Sequence, residues 1–235
     1  MSPALKGSVL ALCFLAVLCG RAAAAETCDD VEQMMATTPS PPDTVERWRR
    51  HLAEMESVRT AVAVDTVVVG DSLAEMFEAK YWAPKKILNL GIGGDKTQQA
   101  LWRLNAFDWS NVSTKTILLI LGTNNLAGQK PCAIIAGLHQ VVDKLTTIWP
   151  SARISYLDIP PRGADFHEYE APRLQINEAM HNVPGLASFN LDDALTCGWT
   201  LPCKNYQTDL LHFTRDGYST ILKGYYASFQ QASAP

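Results

Sequence analysis

The stretch Val67-Val68-Val69-Gly70-Asp71-Ser72-Leu73 is a β-branched apolar run that ends in Gly-Asp-Ser and passes at once into a helix-compatible segment. Such a run predicts a strand whose end presents a serine. Gly70 lets the backbone turn sharply. Ser72 then falls at the carboxyl edge of a sheet, where open α/β folds place their sites. Three later stretches are expected to converge on it: Gly91-Ile92-Gly93-Gly94-Asp95, Gly122-Thr123-Asn124-Asn125 and Asp209-Leu210-Leu211-His212.

Outward from that stretch, strands and helices alternate. Ile87–Leu90 reads as a short strand ended by the glycine cluster, and a helix is expected from Thr97 to Leu104. Thr116–Leu121 is the apolar run of a strand buried on both faces. Ile134, Ile135, Leu138, Val141, Val142, Leu145 and Ile148 repeat at helical spacing up to Pro150. Arg153–Ile159 is a fourth strand, Pro172–Asn182 a helix, and Ala187–Leu191 a fifth strand. Tyr218, Ile221, Leu222, Tyr225 and Phe229 define a last helix. The alternation predicts a parallel sheet covered on both sides.

Upstream, residues 26–42 are polar and end in Thr-Thr-Pro-Ser-Pro-Pro, which predicts an extended lead-in pinned by Cys28. Asp43 with Glu46 resembles a capping box. Val45, Trp48, Leu52 and Met55 follow at helical spacing as an apolar face, and Arg47, Arg49, Arg50 and Glu54 as a solvated one. We expect one domain over residues 43–235, with no internal repeat or linker.

The first residues read as a secretory signal: Lys6, then the apolar Ser8–Gly20, then Arg21 and the small residues Ala22–Ala25. The apolar run is short for a membrane span. Cleavage is expected after Ala25, giving a secreted, extracellular protein. A retained core helix is the plainer alternative. Cys19 follows a leucine larger than lipidation sites accept.

The chain carries 20 basic and 24 acidic residues, a net charge of −4, without a polybasic run. That argues against nucleic acid or an anionic membrane as partner. Cleavage would leave four of the six cysteines, an even number suited to an oxidising compartment. Cys197 and Cys203 flank a short Gly-Trp-Thr-Leu-Pro loop and are the expected bridge. Cys28 with Cys132 follows by elimination. Asn111-Val112-Ser113 is a glycosylation sequon at Asn111, relevant only in a eukaryotic host. His51, His139, His167 and His181 show no metal-ligand spacing.

Ser72 is the candidate nucleophile, and a serine hydroxyl needs an adjacent base. His212 can be that base, with Asp209 orienting its ring. Taken alone, Asp-x-x-His is usually a capping pair; beside the other blocks it reads as catalytic. The Ser72 N–H, the Gly94 N–H and the Asn124 amide are candidate donors to an oxyanion. The glycine cluster alone would suit a tight turn. It lacks the third glycine of a dinucleotide fingerprint, because Lys96 stands there. Asp71 is expected to serve the turn. Trp102 and Arg103 are candidates to buttress the Gly94 loop, and Trp199 to line an acyl pocket, although core packing or surface contact explains these three more simply.

The four ordered blocks resemble the SGNH (GDSL-type) hydrolase family along nearly all of residues 65–230. They match as Gly70-Asp71-Ser72-Leu73, the glycine of Gly91-Ile92-Gly93-Gly94, Gly122-Thr123-Asn124 and Asp209-Leu210-Leu211-His212. Leu88 to Asp95, Leu101-Trp102-Arg103-Leu104 and Pro160-Pro161-Arg162-Gly163 are most similar to the catalytic subunits of platelet-activating factor acetylhydrolase type Ib. The resemblance implies a flavodoxin-like three-layer α/β/α sandwich of about five parallel strands. It implies Ser72, Asp209 and His212 as triad, with Ser72, Gly94 and Asn124 as oxyanion hole. No metal or organic cofactor is expected. The implied substrate is a small ester, an acetylated lipid or glycan, without stable membrane insertion. The relatives pair as dimers, so a homodimer is the oligomer the resemblance implies. The secretory signal and the cysteines depart from these cytosolic relatives. That leaves three expectations open: a lipid acetylhydrolase-like esterase, a carbohydrate acetylesterase, or a silent binding protein on the same fold. An ordinary α/β-hydrolase fits less well, because Gly70-Asp71-Ser72-Leu73-Ala74 lacks the second elbow glycine.

Overall fold

The computed structural model describes residues 28–60 and 63–231. The segment read as a secretory signal, with its cut after Ala25, lies outside the described residues. Five parallel strands form one sheet in the order β2-β1-β3-β4-β5. They are β1 (Thr66–Gly70), β2 (Ile87–Gly91), β3 (Thr116–Ile120), β4 (Arg153–Leu157) and β5 (Ala187–Phe189). The strands fall where the hydrophobic runs predict them, with β3, β4 and β5 ending one or two residues early.

Register aligns the strand ends. Gly70 pairs with Gly91 on one side and with Ile120 on the other. The segments after β1, β2 and β3 therefore leave the sheet at one edge. The strand order reverses between β1 and β3, which makes a crevice at that edge. Gly70 is required there by a close approach, not by its φ. A Cβ on it would lie 1.9 Å from the Ile120 carbonyl oxygen.

Side chains along each strand alternate between two cores. Val67, Val69, Ile117 and Leu119 face α4 (Thr97–Ala106), α5 (Pro131–Ile148) and α6 (Glu170–His181). Val68, Leu118 and Ile120 face Leu73, Phe77 and Trp82, and the helix α8 (Arg215–Gln231) through Tyr218, Ile221 and Tyr225. Both faces are thus covered, and burial of each such aliphatic side chain contributes about 1.5–3 kcal/mol. Pro131 opens α5 at a position where its missing N–H costs nothing.

The N-terminal region differs from its expectation. The lead-in is a helix, α1 (Asp30–Thr37), started by a reciprocal capping box between Asp29 and Glu32. The disulfide Cys28–Cys132 fastens it beside α5. The prolines that suggested extension lie beyond its end. The next helix, α2 (Val45–Thr60), is capped by Thr44, whose Oγ1 accepts the Arg47 N–H, and not by Asp43. Arg49 is exposed as expected, but the apolar face is not the buried one. Val45, Trp48, Leu52 and Met55 are exposed, and His51, Glu54 and Val58 are buried. The physical reason lies at the sheet edge, where α2 supplies charged partners to the loops.

The helix expected after Ser72 is a single turn, α3 (Ser72–Glu75), and one further one-turn helix, α7 (Asp192–Leu195), was not legible. Among the described residues, no helix is long and apolar enough to cross a membrane. Asn111 lies in an exposed turn.

Candidate active site

Ser72 is the first residue of α3, directly after Asp71 at the N-cap. Asp71 Oδ1 accepts the Leu73 N–H at 2.9 Å, as expected of a turn residue. The hydroxyl of Tyr218 donates to the Leu73 carbonyl at 3.0 Å and fixes the same turn from α8. Asp71 is fully buried, and its Oδ2 has no hydrogen-bond partner among the described residues. Burial pushes its carboxyl up to about 7, and the nearby Asp95 charge acts in the same direction.

The structure brings Ser72, His212 and Asp209 together. His212 Nε2 lies 2.9 Å from Ser72 Oγ, and His212 Nδ1 lies 2.7 Å from Asp209 Oδ2. The other carboxylate oxygen, Oδ1, accepts the N–H groups of Leu211 and His212, each at 3.0 Å. Leu210 takes φ +51°, so the chain doubles back and the aspartate faces the ring three residues on. Partial burial works to raise the Asp209 carboxyl. The hydrogen bonds from the His212 ring and from the two N–H groups outweigh it and hold the group below the usual carboxylate range. In this arrangement the imidazole can take a proton from Ser72 while the carboxylate steadies the imidazolium.

Three groups are candidate donors to an oxyanion formed at Ser72. The Ser72 N–H is in the first turn of a helix, where no intrahelical acceptor exists. Gly94 has φ +81°, a conformation that favours glycine, and its N–H has no partner among the described residues. The Asn124 amide donates to the Asp95 carbonyl oxygen at 2.9 Å. An amide nitrogen carries two hydrogens, so one remains for a ligand.

A ring of charge holds these donors in place. Arg103 is buried and donates to Asp95 Oδ2 at 2.8 Å, to the Leu90 carbonyl at 2.9 Å, and to Glu54. It buttresses the Gly94 loop through Asp95. Asp95 also pairs with Arg47 on α2. Burial alone would lower the Arg103 guanidinium, but the Glu54 and Asp95 charges outweigh it and keep it cationic. Glu75 Oε2 accepts the Gly93 N–H at 2.9 Å and pairs with Arg50 Nη1 at 2.6 Å. Sequence reading missed Arg47, Arg50, Glu54 and Glu75. The spacing of Arg47, Arg50, His51, Glu54 and Val58 marks one helical face, which turns inward despite its charge, with His51, Glu54 and Val58 buried and Arg50 half-buried.

The opposite wall is the turn after β4. Arg162 donates to Thr123 Oγ1 at 3.2 Å, and the Gly163 N–H donates to the Leu210 carbonyl at 2.9 Å. One turn therefore ties the segment before Asn124 to the segment before His212. Trp102 packs against Trp48 and His51, and Trp199 is exposed and stacks on His167. Cys197 and Cys203 form a second disulfide. Among the described residues, no group of three or more His, Cys, Asp or Glu side chains is arranged to hold a metal ion. A cavity of about 840 Å³ lined by Thr60, Val64, Lys86 and Ile87 lies at the amino edge of the sheet, away from Ser72.

The sheet order, the helix layers and a serine at the carboxyl edge define the chain as an α/β/α sandwich of SGNH-hydrolase architecture. The chain belongs to the GDSL-like Lipase/Acylhydrolase family, whose sequence model matches residues 60–219. It is therefore a carboxylic ester hydrolase of the acylhydrolase type. It is similar to the platelet-activating factor acetylhydrolase IB subunit alpha2 of Homo sapiens, at 30% identity over 169 residues, covering 68% of this chain and 73% of that protein. The subunit alpha1 of Rattus norvegicus is 28% identical over 204 residues, covering 80% and 86% respectively. A lipolytic protein of the G-D-S-L family from Veillonella parvula shares the fold, with a TM-score of 0.57 and 16% identity over 73% of this chain and 100% of that one.

Proposed function

We propose that this protein is a secreted serine esterase that removes short acyl groups, foremost acetyl, from small esters. The observation that carries the reading is the continuous chain of hydrogen bonds from Asp209 through His212 to Ser72. Ser72 Oγ attacks the acyl carbonyl carbon and gives its proton to His212 Nε2. The carbonyl oxygen becomes an oxyanion facing the N–H groups of Ser72 and Gly94 and the Asn124 amide. When that intermediate collapses, the carbon–oxygen bond to the alcohol breaks and His212 returns the proton to the leaving oxygen. Water, losing its proton to His212, then attacks the acyl-serine and releases the acid. Every proton is handled by one imidazole, and Asp209 stabilises it in the charged form.

The acetyl preference is supported by the acetylhydrolase relatives. Secretion is supported by the sequence pattern of residues 1–25 and by two disulfides. A series of p-nitrophenyl esters of rising acyl length tests the reading. Turnover confined to acetate and propionate is the expected result. Preference for long chains would contradict the acyl assignment, and a mature protein that does not begin at Glu26 would contradict the cleavage after Ala25.

A further inference from the structure

Among the described residues, five other than glycine have positive φ: Phe166, Tyr169, Cys197, Trp199 and Leu210. All lie in the loops after β4 and β5, around the wall that joins Thr123 to Leu210. Such strain persists only where the surroundings impose it, and it gathers at functional sites. What it displays here is an aromatic pair. The rings of Trp199 and His167 lie parallel, with an interplanar angle of 8° and centroids 5.3 Å apart. Both are open: Trp199 is 39% exposed, and the His167 side chain 51%.

The pair is held rigidly. Trp199 Nε1 donates to Asp193 Oδ1 at 2.7 Å, and the Trp199 backbone N–H donates to Thr196 Oγ1 at 3.0 Å. The disulfide Cys197–Cys203 closes the loop that carries the indole. His167 Nδ1 lies 2.9 Å from Glu170 Oε1. The His167 backbone bridges to Arg162, the residue that reaches Thr123, and Tyr206 pins the same turn by donating to the Pro161 carbonyl. The terrace is therefore tied, through the Arg162–Gly163 turn, to the segments that precede Asn124 and His212.

We propose that Trp199 and His167 form a sugar-stacking subsite, so that the alcohol half of the ester is an acetylated oligosaccharide. This inference rests on the esterase reading of Ser72. A flat indole matches the apolar face of a pyranose ring. Asp193 and Glu170 each spend one oxygen on a ring N–H and keep the other as an acceptor for a sugar hydroxyl. The charges beside the terrace are carboxylates, and the neighbouring Arg162 is paired with Glu168, so an anionic headgroup is disfavoured. A quaternary ammonium ligand needs ring faces that enclose it, whereas two parallel rings make an open step.

The test uses the mature protein, its Trp199→Ala and Trp199→Phe variants, and Ser72→Ala protein for the binding arm. Acetate release from acetylated xylo-oligosaccharides should fall about tenfold in kcat/KM for Trp199→Ala, chiefly through KM, and recover in Trp199→Phe. Turnover of p-nitrophenyl acetate should stay within about twofold, because the terrace does not touch the reacting atoms. Calorimetric binding of the same oligosaccharides to Ser72→Ala protein should weaken equally when Trp199→Ala is added. Oligosaccharide kinetics and binding that ignore Trp199→Ala would overturn the proposal, as would Trp199-dependent binding of short-chain glycerophosphocholine in place of sugar. A wild-type protein inert toward p-nitrophenyl acetate would overturn the esterase reading instead, while the binding arm would still decide the subsite.

Discussion

His212 Nε2 lies 2.9 Å from Ser72 Oγ although 140 residues separate the two in sequence. The first stands in a loop after β5 and the second at the end of β1. Parallel strands deliver both to one edge, and the positive φ of Leu210 turns Asp209 onto the far side of the imidazole.

In the proposed mechanism the Asp209 carboxylate holds the His212 ring in the tautomer that leaves Nε2 to accept the serine proton. Asp209→Asn keeps the shape and loses that control. The expected loss in kcat is about 10³–10⁴, with the fold retained. Steady-state kinetics with p-nitrophenyl acetate measures it, and a loss below about tenfold would remove Asp209 from the orienting role.

Asn124 already donates one hydrogen to the Asp95 carbonyl, so its amide is aimed before substrate arrives. Asn124→Ala should lower kcat by about 10²–10³ and leave KM nearly unchanged, as expected of a contact made in the transition state. An effect confined to KM would assign the amide to substrate binding instead.

Arg103 neutralises Asp95 and Glu54 in a buried site. Arg103→Met leaves both carboxylates without that partner and should cost about 3–5 kcal/mol of stability. Urea unfolding measures the change directly. A cost below about 1 kcal/mol would mean that Arg47 and His51 suffice to compensate the two acids.

Asp71 keeps its proton in the folded protein up to about pH 7 and would lose it near 3.8 once exposed. Between those values the folded state binds more protons than the unfolded state. Its contribution to stability is therefore full below about pH 4 and is lost as pH rises towards 7. Asp71→Asn should flatten that decline. Urea denaturation of both proteins from pH 4 to 8 checks it. Parallel stability curves would show that Asp71 ionises normally.

Much of this arrangement is legible in the chain because strand ends are marked by glycine and because apolar runs are continuous in a sheet covered on both sides. The two disulfides are also where the cysteine spacing and count place them. The faces of α2 were not legible. Periodicity assigns Val45, Trp48, Leu52 and Met55 to the inside, yet those residues are exposed. The inner face must supply Arg47, Arg50 and Glu54 to Asp95, Glu75 and Arg103, a demand set by partners distant in sequence. The helix α1 was obscured by the prolines that follow it, although Asp29 and Glu32 carry its capping signal. The Trp199–His167 terrace depends on two loops meeting, and no local pattern announces it.

The most direct measurement is covalent labelling of the wild-type protein with a fluorophosphonate, followed by peptide mapping in a mass spectrometer. The account expects one phosphonyl adduct per chain, on Ser72, with loss of esterase activity in proportion to labelling. It also expects no adduct in Ser72→Ala and labelling slowed at least tenfold in His212→Ala. An adduct on another serine, or full esterase activity in Ser72→Ala, would contradict it.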